Sequence, residues 1–133
     1  MSINDLPTLA ALRTKMQWHQ ERQRVLSENV SNSDTPNFRP RDLVEPKFEA
    51  NGAKLGGFAP LAMARTSAGH IASTADAAAF DVNGKVGFET RPAGNAVNLE
   101  EEMTKVAANQ MDYAAITSLY SKSLALLKTA IGK

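Results

Sequence analysis

The feature that most constrains this chain is a row of residues near its C-terminal end, spaced alternately three and four apart. Its members are Leu99, Met103, Val106, Gln110, Tyr113, Thr117, Tyr120, Leu124, Leu127 and Ile131. This spacing places every member on one face of an α-helix and is typical of a coiled-coil seam. Asn98 can cap the helix, with Glu101 placed as in a capping box. We therefore predict a helix from Asn98 to Ile131, about 50 Å long at ~1.5 Å per residue.

A shorter row with the same spacing lies near the N-terminus. Its members are Leu9, Leu12, Met16, His19, Gln23, Leu26 and Val30. It predicts a helix that begins with a capping side chain and Pro7 near residues 5–8 and ends before Pro36. Because the chain leaves along one helix and returns along the other, we predict an antiparallel, coiled-coil-like hairpin. In that register, residue numbers at one level sum to about 130, and His19 and Gln23 form a polar layer with Gln110.

The segment between the two helices shows no sustained period and is rich in small residues, glycine and proline. We therefore divide a single, mainly α domain into an N-terminal helix and turn (1–36), an irregular outer segment (37–97) and a C-terminal helix (98–133). One β-hairpin is predicted inside the irregular segment. Phe80 and Val82 alternate up to an Asn83-Gly84 turn, and Val86 and Phe88 alternate away from it. A plain loop is the alternative.

Composition excludes several classes of function. The chain has no cysteine, which removes disulfides and thiolate sites, and its net charge of +1 provides no field to attract nucleic acid. His19 lies on the apolar row of the first helix, where a polar or water-exposed histidine is favoured over a ligand or general base. His70 has no acidic or histidine partner at metal-ligand spacing, and no phosphate-binding loop occurs. We predict no enzyme activity, no metal and no cofactor. The first residues do not resemble a cleaved signal peptide, and no stretch is apolar enough to span a membrane.

The C-terminal helix is also apolar outside its row. Met111, Ile116, Leu119 and Leu126 lie on other faces, and between Val106 and Leu127 only Asp112 and Lys122 are charged. A helix that is apolar nearly all round must be buried nearly all round. We therefore expect other subunits to cover it, and copies that meet through different patches build rings or helical filaments. The alternative is a compact bundle in which the central segment wraps the helix.

The end of the first helix resembles the N-terminal signature of the flagellar rod and hook axial proteins, in which a helix ending Asn-Ile-Ala-Asn is followed by Thr-Pro-Gly-Tyr. The matching residues are Asn29, Asn32, Thr35 and Pro36, with Val30, Ser31 and Phe38 as mild replacements. Asn37 stands where the family prefers glycine, but asparagine tolerates left-handed dihedral angles. Residues 94–103 and 109–113 resemble the start of the C-terminal helix in the FlgB branch of that family. The signature and the C-terminal row are the candidate assembly residues.

The resemblance implies a structural subunit of the proximal rod, which polymerises through its terminal helices and transmits torque. It further implies export through the flagellar type III apparatus without a cleaved signal peptide, and assembly in the periplasm without membrane insertion. The implied partners are other copies of the chain, the rod proteins FlgC, FlgF and FlgG, the adaptor FliE and the MS-ring protein FliF. A small helical adaptor or export chaperone that pairs with one partner is the competing class.

Overall fold

The computed structural model describes residues 6–48, 67, 69, 80–84 and 90–132. Its elements, in chain order, are helix α1 (Pro7–Ser31), strand β1 (Asp42–Leu43), strand β2 (Val82–Asn83) and helix α2 (Leu99–Ala130). The two helices pack against each other along their length, and β1 packs on α1. The mainly helical fold with two long terminal helices is therefore confirmed.

Helix α1 begins with proline in its first turn, as predicted, but without a capping side chain. The N-cap residue is Leu6, whose side chain cannot accept a hydrogen bond, so the expected capping side chain is wrong. Proline suits this position because its missing N–H would be unpaired there in any residue. At the other end, the backbone N–H of Asn32 donates to the carbonyl of Glu28 at 3.1 Å, and the chain then turns.

Helix α2 begins with the predicted cap. Asn98 Oδ1 accepts hydrogen bonds from the backbone N–H groups of Glu100 at 3.1 Å and Glu101 at 3.3 Å. The return bond of a capping box does not form, because the Glu101 carboxylate instead pairs with Lys105 Nζ at 2.7 Å. Acidic residues occupy the first turn, where their negative charge interacts favourably with the positive end of the helix dipole.

The helices form an antiparallel hairpin in the predicted register. His19 lies level with Asn109, Gln20 bonds to the Tyr113 hydroxyl at 3.0 Å, and Asn29 bonds to Glu102 at 2.8 Å. The numbers of paired residues thus sum to about 130, as the predicted register requires.

The first helix has a second buried face that its three-four row did not contain. Trp18 and Val25 are buried and form the apolar core with Leu43 of β1 and Phe80, the residue just before β2. The indole N–H of Trp18 donates to the Val44 carbonyl at 2.8 Å. Helix α1 therefore lies between α2 on one side and the small sheet on the other.

The predicted hairpin in the central segment is only partly described. Val82 lies in a strand, as expected, but its partner is β1, with Asp42 opposite Asn83 and Leu43 opposite Val82 in an antiparallel pair. Asn83 is therefore a strand residue and not a turn residue. The second arm, with Val86 and Phe88, and His70 lie outside the described residues.

Candidate functional site

A buried asparagine joins the end of α1 to both the following segment and α2. Asn29 is 1% exposed, and its amide nitrogen donates to the Arg41 carbonyl at 2.7 Å and to Glu102 Oε2 at 2.8 Å. Its side-chain oxygen accepts from the Arg41 backbone N–H at 3.0 Å. Both donor hydrogens and the acceptor are used, so no other residue type satisfies all three partners in the same geometry.

A second buried asparagine, in the segment that leads into α2, also joins the two parts of the chain that meet here. The Asn95 amide nitrogen donates to the carbonyls of Asn32 at 2.9 Å and Thr35 at 2.7 Å. Its side-chain oxygen accepts from the Val97 backbone N–H at 2.7 Å. The turn that follows α1 is thereby fixed against the segment that leads into α2.

The signature turn requires a left-handed residue where the sequence predicts one. Asn37 has φ 59°, which confirms that asparagine takes the conformation for which the family prefers glycine. Its backbone N–H donates to the Ala93 carbonyl at 3.2 Å. Gly94, with φ 78°, lies against the Asn37 side chain, and an added Cβ at Gly94 would collide with it. The two segments approach closely because one of them carries no side chain here.

A buried carboxylate completes the junction, which we define as residues 29–41 together with residues 91–105. Glu102 is 2% exposed and pairs with Lys105 Nζ at 2.9 Å in addition to Asn29. Burial disfavours the charge on Lys105, but hydrogen bonds to Glu101 and Glu102 outweigh that cost, and the pKa of the Lys105 ammonium is raised. The carboxylate is tolerated inside the interface because its oxygens are paired on both sides.

A polar layer crosses the helix interface about two to three turns further along the helices. His19 Nδ1 and Asn109 Oδ1 are 2.7 Å apart, and the Asn109 amide nitrogen donates to the His19 carbonyl and to Gln23 Oε1, both at 3.0 Å. Because that nitrogen serves two acceptors, the Asn109 oxygen must accept from His19 Nδ1–H. The prediction that Gln110 belongs to this layer is wrong. Gln110 is exposed, and its neighbour Asn109 lies in the layer instead.

The face of α2 turned away from α1 is apolar and uncovered. Met111 and Leu126 are 74% and 72% exposed, and Leu119 between them is 53% exposed. Single exposed apolar residues are normal on a protein surface, whereas several along one helix are typical of an interaction surface. The described residues do not cover these positions. Most of the central segment, which the compact-bundle alternative would place there, lies outside the described residues.

No protein-family model matches the chain. Curated relatives do match it. The flagellar basal body rod protein FlgB of Agrobacterium fabrum is 32% identical over 110 residues, which cover 77% of this chain and 76% of the relative. FlgB of Yersinia enterocolitica is 33% identical over 99 residues, 70% of each chain, and FlgB of Aeromonas hydrophila is 29% identical over 114 residues, 85% and 84% of the two chains.

The chain belongs to the FlgB family. The relatives are named as rod proteins, which are structural and not enzymes. Within the described part of this FlgB-family chain, no group of three His, Cys, Asp or Glu side chains could hold a metal ion. Nor does any helix in that part reach the length and hydropathy needed to cross a bilayer.

The structure divides the candidate assembly residues of this FlgB-family chain between two places. The signature residues lie in the junction, namely Asn29, Asn32, Thr35, Pro36 and Phe38. The C-terminal row splits by exposure: Val106, Tyr113, Tyr120, Leu124 and Leu127 are half-buried beside α1, whereas Leu99, Met103, Gln110, Thr117 and Ile131 are exposed.

The α2 residues that contact α1 follow a stripe rotated from the predicted row. Glu102 and Asn109 replace Met103 and Gln110, and Ile116 is half-buried beside Thr117, whose hydroxyl still lies 3.8 Å from Met16 Sδ. The stripe is thus rotated by less than one residue step, which is roughly 100°. Sequence patterning missed Glu102 and Asn109 because both are polar. The only sequence feature that could have indicated them is their spacing, since Glu102, Val106, Asn109 and Tyr113 also follow one another at steps of four and three.

Proposed function

We propose that this chain is a structural subunit of the flagellar basal body rod that polymerises through its terminal helices and transmits torque along the rod. The observation that carries the proposal is the apolar face of α2, which the hairpin leaves exposed at Met111, Leu119 and Leu126. Because the chain belongs to the FlgB family, we infer that the rod is the assembly in which neighbouring subunits cover that face. The junction supports the same role, because it fixes the two helices as one rigid element.

The proposal includes a route and a set of neighbours. The subunit leaves the cytoplasm through the flagellar type III apparatus without a cleaved signal peptide and assembles in the periplasm. Its neighbours are further copies, the rod proteins FlgC, FlgF and FlgG, the adaptor FliE and the MS-ring protein FliF. The signature and the C-terminal row are the residues through which these contacts are made or positioned.

The test compares Met111→Asp with Met111→Leu in a strain whose own copy is replaced by this chain. Met111 does not contact α1, so neither change disturbs the hairpin, but the aspartate places a charge where the neighbouring subunit packs. We expect the aspartate variant to be absent from isolated basal bodies and the leucine variant to be incorporated normally. Normal incorporation of the aspartate variant would contradict assembly through this face. A discrete complex with one other protein, in place of rod, would favour the adaptor class.

A further inference from the structure

The middle of α2 carries an exposed apolar stripe, with one charge on each side of the line that joins Ala108 and Leu126. The stripe, which we call the outer stripe, consists of Ala108, Met111, Ala115, Leu119 and Leu126. Asp112 and Lys122 are both exposed and are the only charged residues between Val106 and Leu127. They lie ten residues apart, about 15 Å along the axis and about 80° around it at 3.6 residues per turn.

Neither charge has an ion-pair partner in the part of the chain that the structure describes. Asp112 lines an open cavity of about 230 Å³ at the edge of the outer stripe, together with charged residues of α1 and the following loop. Its lining residues are Lys15, Trp18, His19, Arg22, Glu45, Asp112, Ala115 and Ile116.

The charges around this cavity leave one carboxylate uncompensated. Lys15 pairs with Glu45 at 3.0 Å, and the Arg22 guanidinium pairs with Asp42 at 2.8 Å. Arg22 also lies 5.2 Å from the centre of the Trp18 ring, which holds it in place. Asp112 is close enough to contribute to the raised pKa of Arg22, although the hydrogen bond to Asp42 is the main cause. Both cations are thus paired with other carboxylates, and Asp112 is the carboxylate of this cavity that has no ion-pair partner among the described residues.

We propose that this cavity receives the Lys122 side chain of a second copy of the chain, while the outer stripes of the two copies pack together. In a parallel pair offset by ten residues, Asp112 of one copy and Lys122 of the other lie at the same level and on the same edge of the contact. In an antiparallel pair they lie at the same level but on opposite edges. The parallel contact is asymmetric, because only Asp112 of one copy and Lys122 of the other meet.

The inference rests on the proposed function and deepens it, because it names the contact between neighbouring subunits. The ion pair sets the ten-residue offset, and the apolar stripe supplies most of the buried area. Charged groups at an interface commonly fix register and exclude wrong partners in this way. Alternation of alanine with methionine and leucine along the stripe lets the two helices approach closely.

The contact can be tested on the unmodified protein with a carbodiimide, which joins a carboxylate directly to an amine. Basal bodies are isolated from a strain that produces tagged and untagged copies of this chain, treated and analysed by mass spectrometry. We expect a peptide in which Asp112 is joined to Lys122. Ten helical residues separate the two groups by about 15 Å in one chain, beyond the reach of their side chains, so this adduct must join two copies.

Two variants of Lys122 distinguish the effect of its positive charge from its ability to form the amide crosslink. Lys122→Arg keeps the cation but cannot form the amide, so it should abolish the adduct and leave rod incorporation unchanged. Lys122→Gln removes the cation and should lower incorporation about tenfold, because an unpaired carboxylate is then buried at the interface.

Several results would overturn the proposal. Rods that contain the chain but give no Asp112–Lys122 adduct, or equal incorporation of Lys122→Gln and the unmodified chain, would exclude the contact. An adduct between Asp112 and a different protein would identify another occupant in place of the second copy. Absence of the unmodified chain from the rods would instead refute the proposed function itself.

Discussion

Asn29→Asp is the substitution that tests the junction most directly, because it changes one atom of the side chain and keeps its shape. The amide nitrogen of Asn29 donates to a backbone carbonyl and to the Glu102 carboxylate, and an aspartate oxygen can donate to neither. Loss of a hydrogen bond to a charged group costs ~1.5–3 kcal/mol, and loss of a neutral one ~0.5–1.5 kcal/mol. The variant also places two carboxylates in contact at a buried position.

We therefore expect the free energy of unfolding to fall by about 3–5 kcal/mol, a large part of the 5–15 kcal/mol that is typical of a whole domain. The assay is urea unfolding of the purified chain, followed by the helical circular dichroism signal. Asn32→Asp is the matched control, because Asn32 donates only to the Glu28 carbonyl within its own turn and is half-buried. It should cost about 1 kcal/mol.

The pH dependence of the same variant has a defined sign. Two carboxylates in contact raise the pKa of one of them in the folded state, so the folded variant binds more protons than the unfolded one near neutrality. Its stability deficit should therefore shrink as the pH is lowered. A deficit below about 1 kcal/mol, or one equal to that of Asn32→Asp, would refute the assignment of Asn29 as the residue that joins the junction.

Four further outcomes are expected. Gly94→Ala should lower the free energy of unfolding by about 1–3 kcal/mol in urea titrations, and Gly132→Ala should lower it less. Both glycines have φ 78°, but only at Gly94 would the added Cβ collide with another residue, Asn37. Asn37→Val should cost about 1–2 kcal/mol, whereas the glycine variant should equal or exceed the original melting temperature; equal losses would contradict the left-handed turn. Leu124→Asp should block rod formation, as scored by motility and by the composition of isolated basal bodies, because it charges the half-buried side of α2. The pKa of Lys105 is raised in the folded state, so its contribution to stability should be complete at neutral pH and be lost as the pH rises above about 10.5. A stability difference between the original chain and Lys105→Met that does not change with pH would contradict this role.

The helical hairpin was predictable because it depends on local and periodic information. Three-four spacing, the Asn98 cap and Pro7 all act within one helix, and the register followed from the fact that a central segment joins the two helix ends. The left-handed Asn37 was predictable for a similar reason, since only a few residue types tolerate that backbone conformation. None of these features requires knowledge of which side chain lies across the interface.

Sequence patterning could not find the polar centre of the interface. Asn29 was identified only through the family signature, and Glu102 was assigned to the helix dipole, because a lone polar residue normally faces water. Whether a carboxylate or an amide is buried depends on the partners that reach it from distant segments, such as Arg41 for Asn29 and His19 for Asn109.

The sequence by itself determined that this chain forms two long helices, that they pair antiparallel, and that one of them is apolar on more than one face. Only the tertiary structure decided which face of α2 meets α1. That choice depends on satisfying three buried polar side chains, Asn29, Glu102 and Asn109, and on the space that Trp18 and β1 occupy on the other side of α1. A rotation of less than one residue step, about 100°, separates the contact stripe from the predicted row, and a spacing pattern changes too little over that angle to distinguish them.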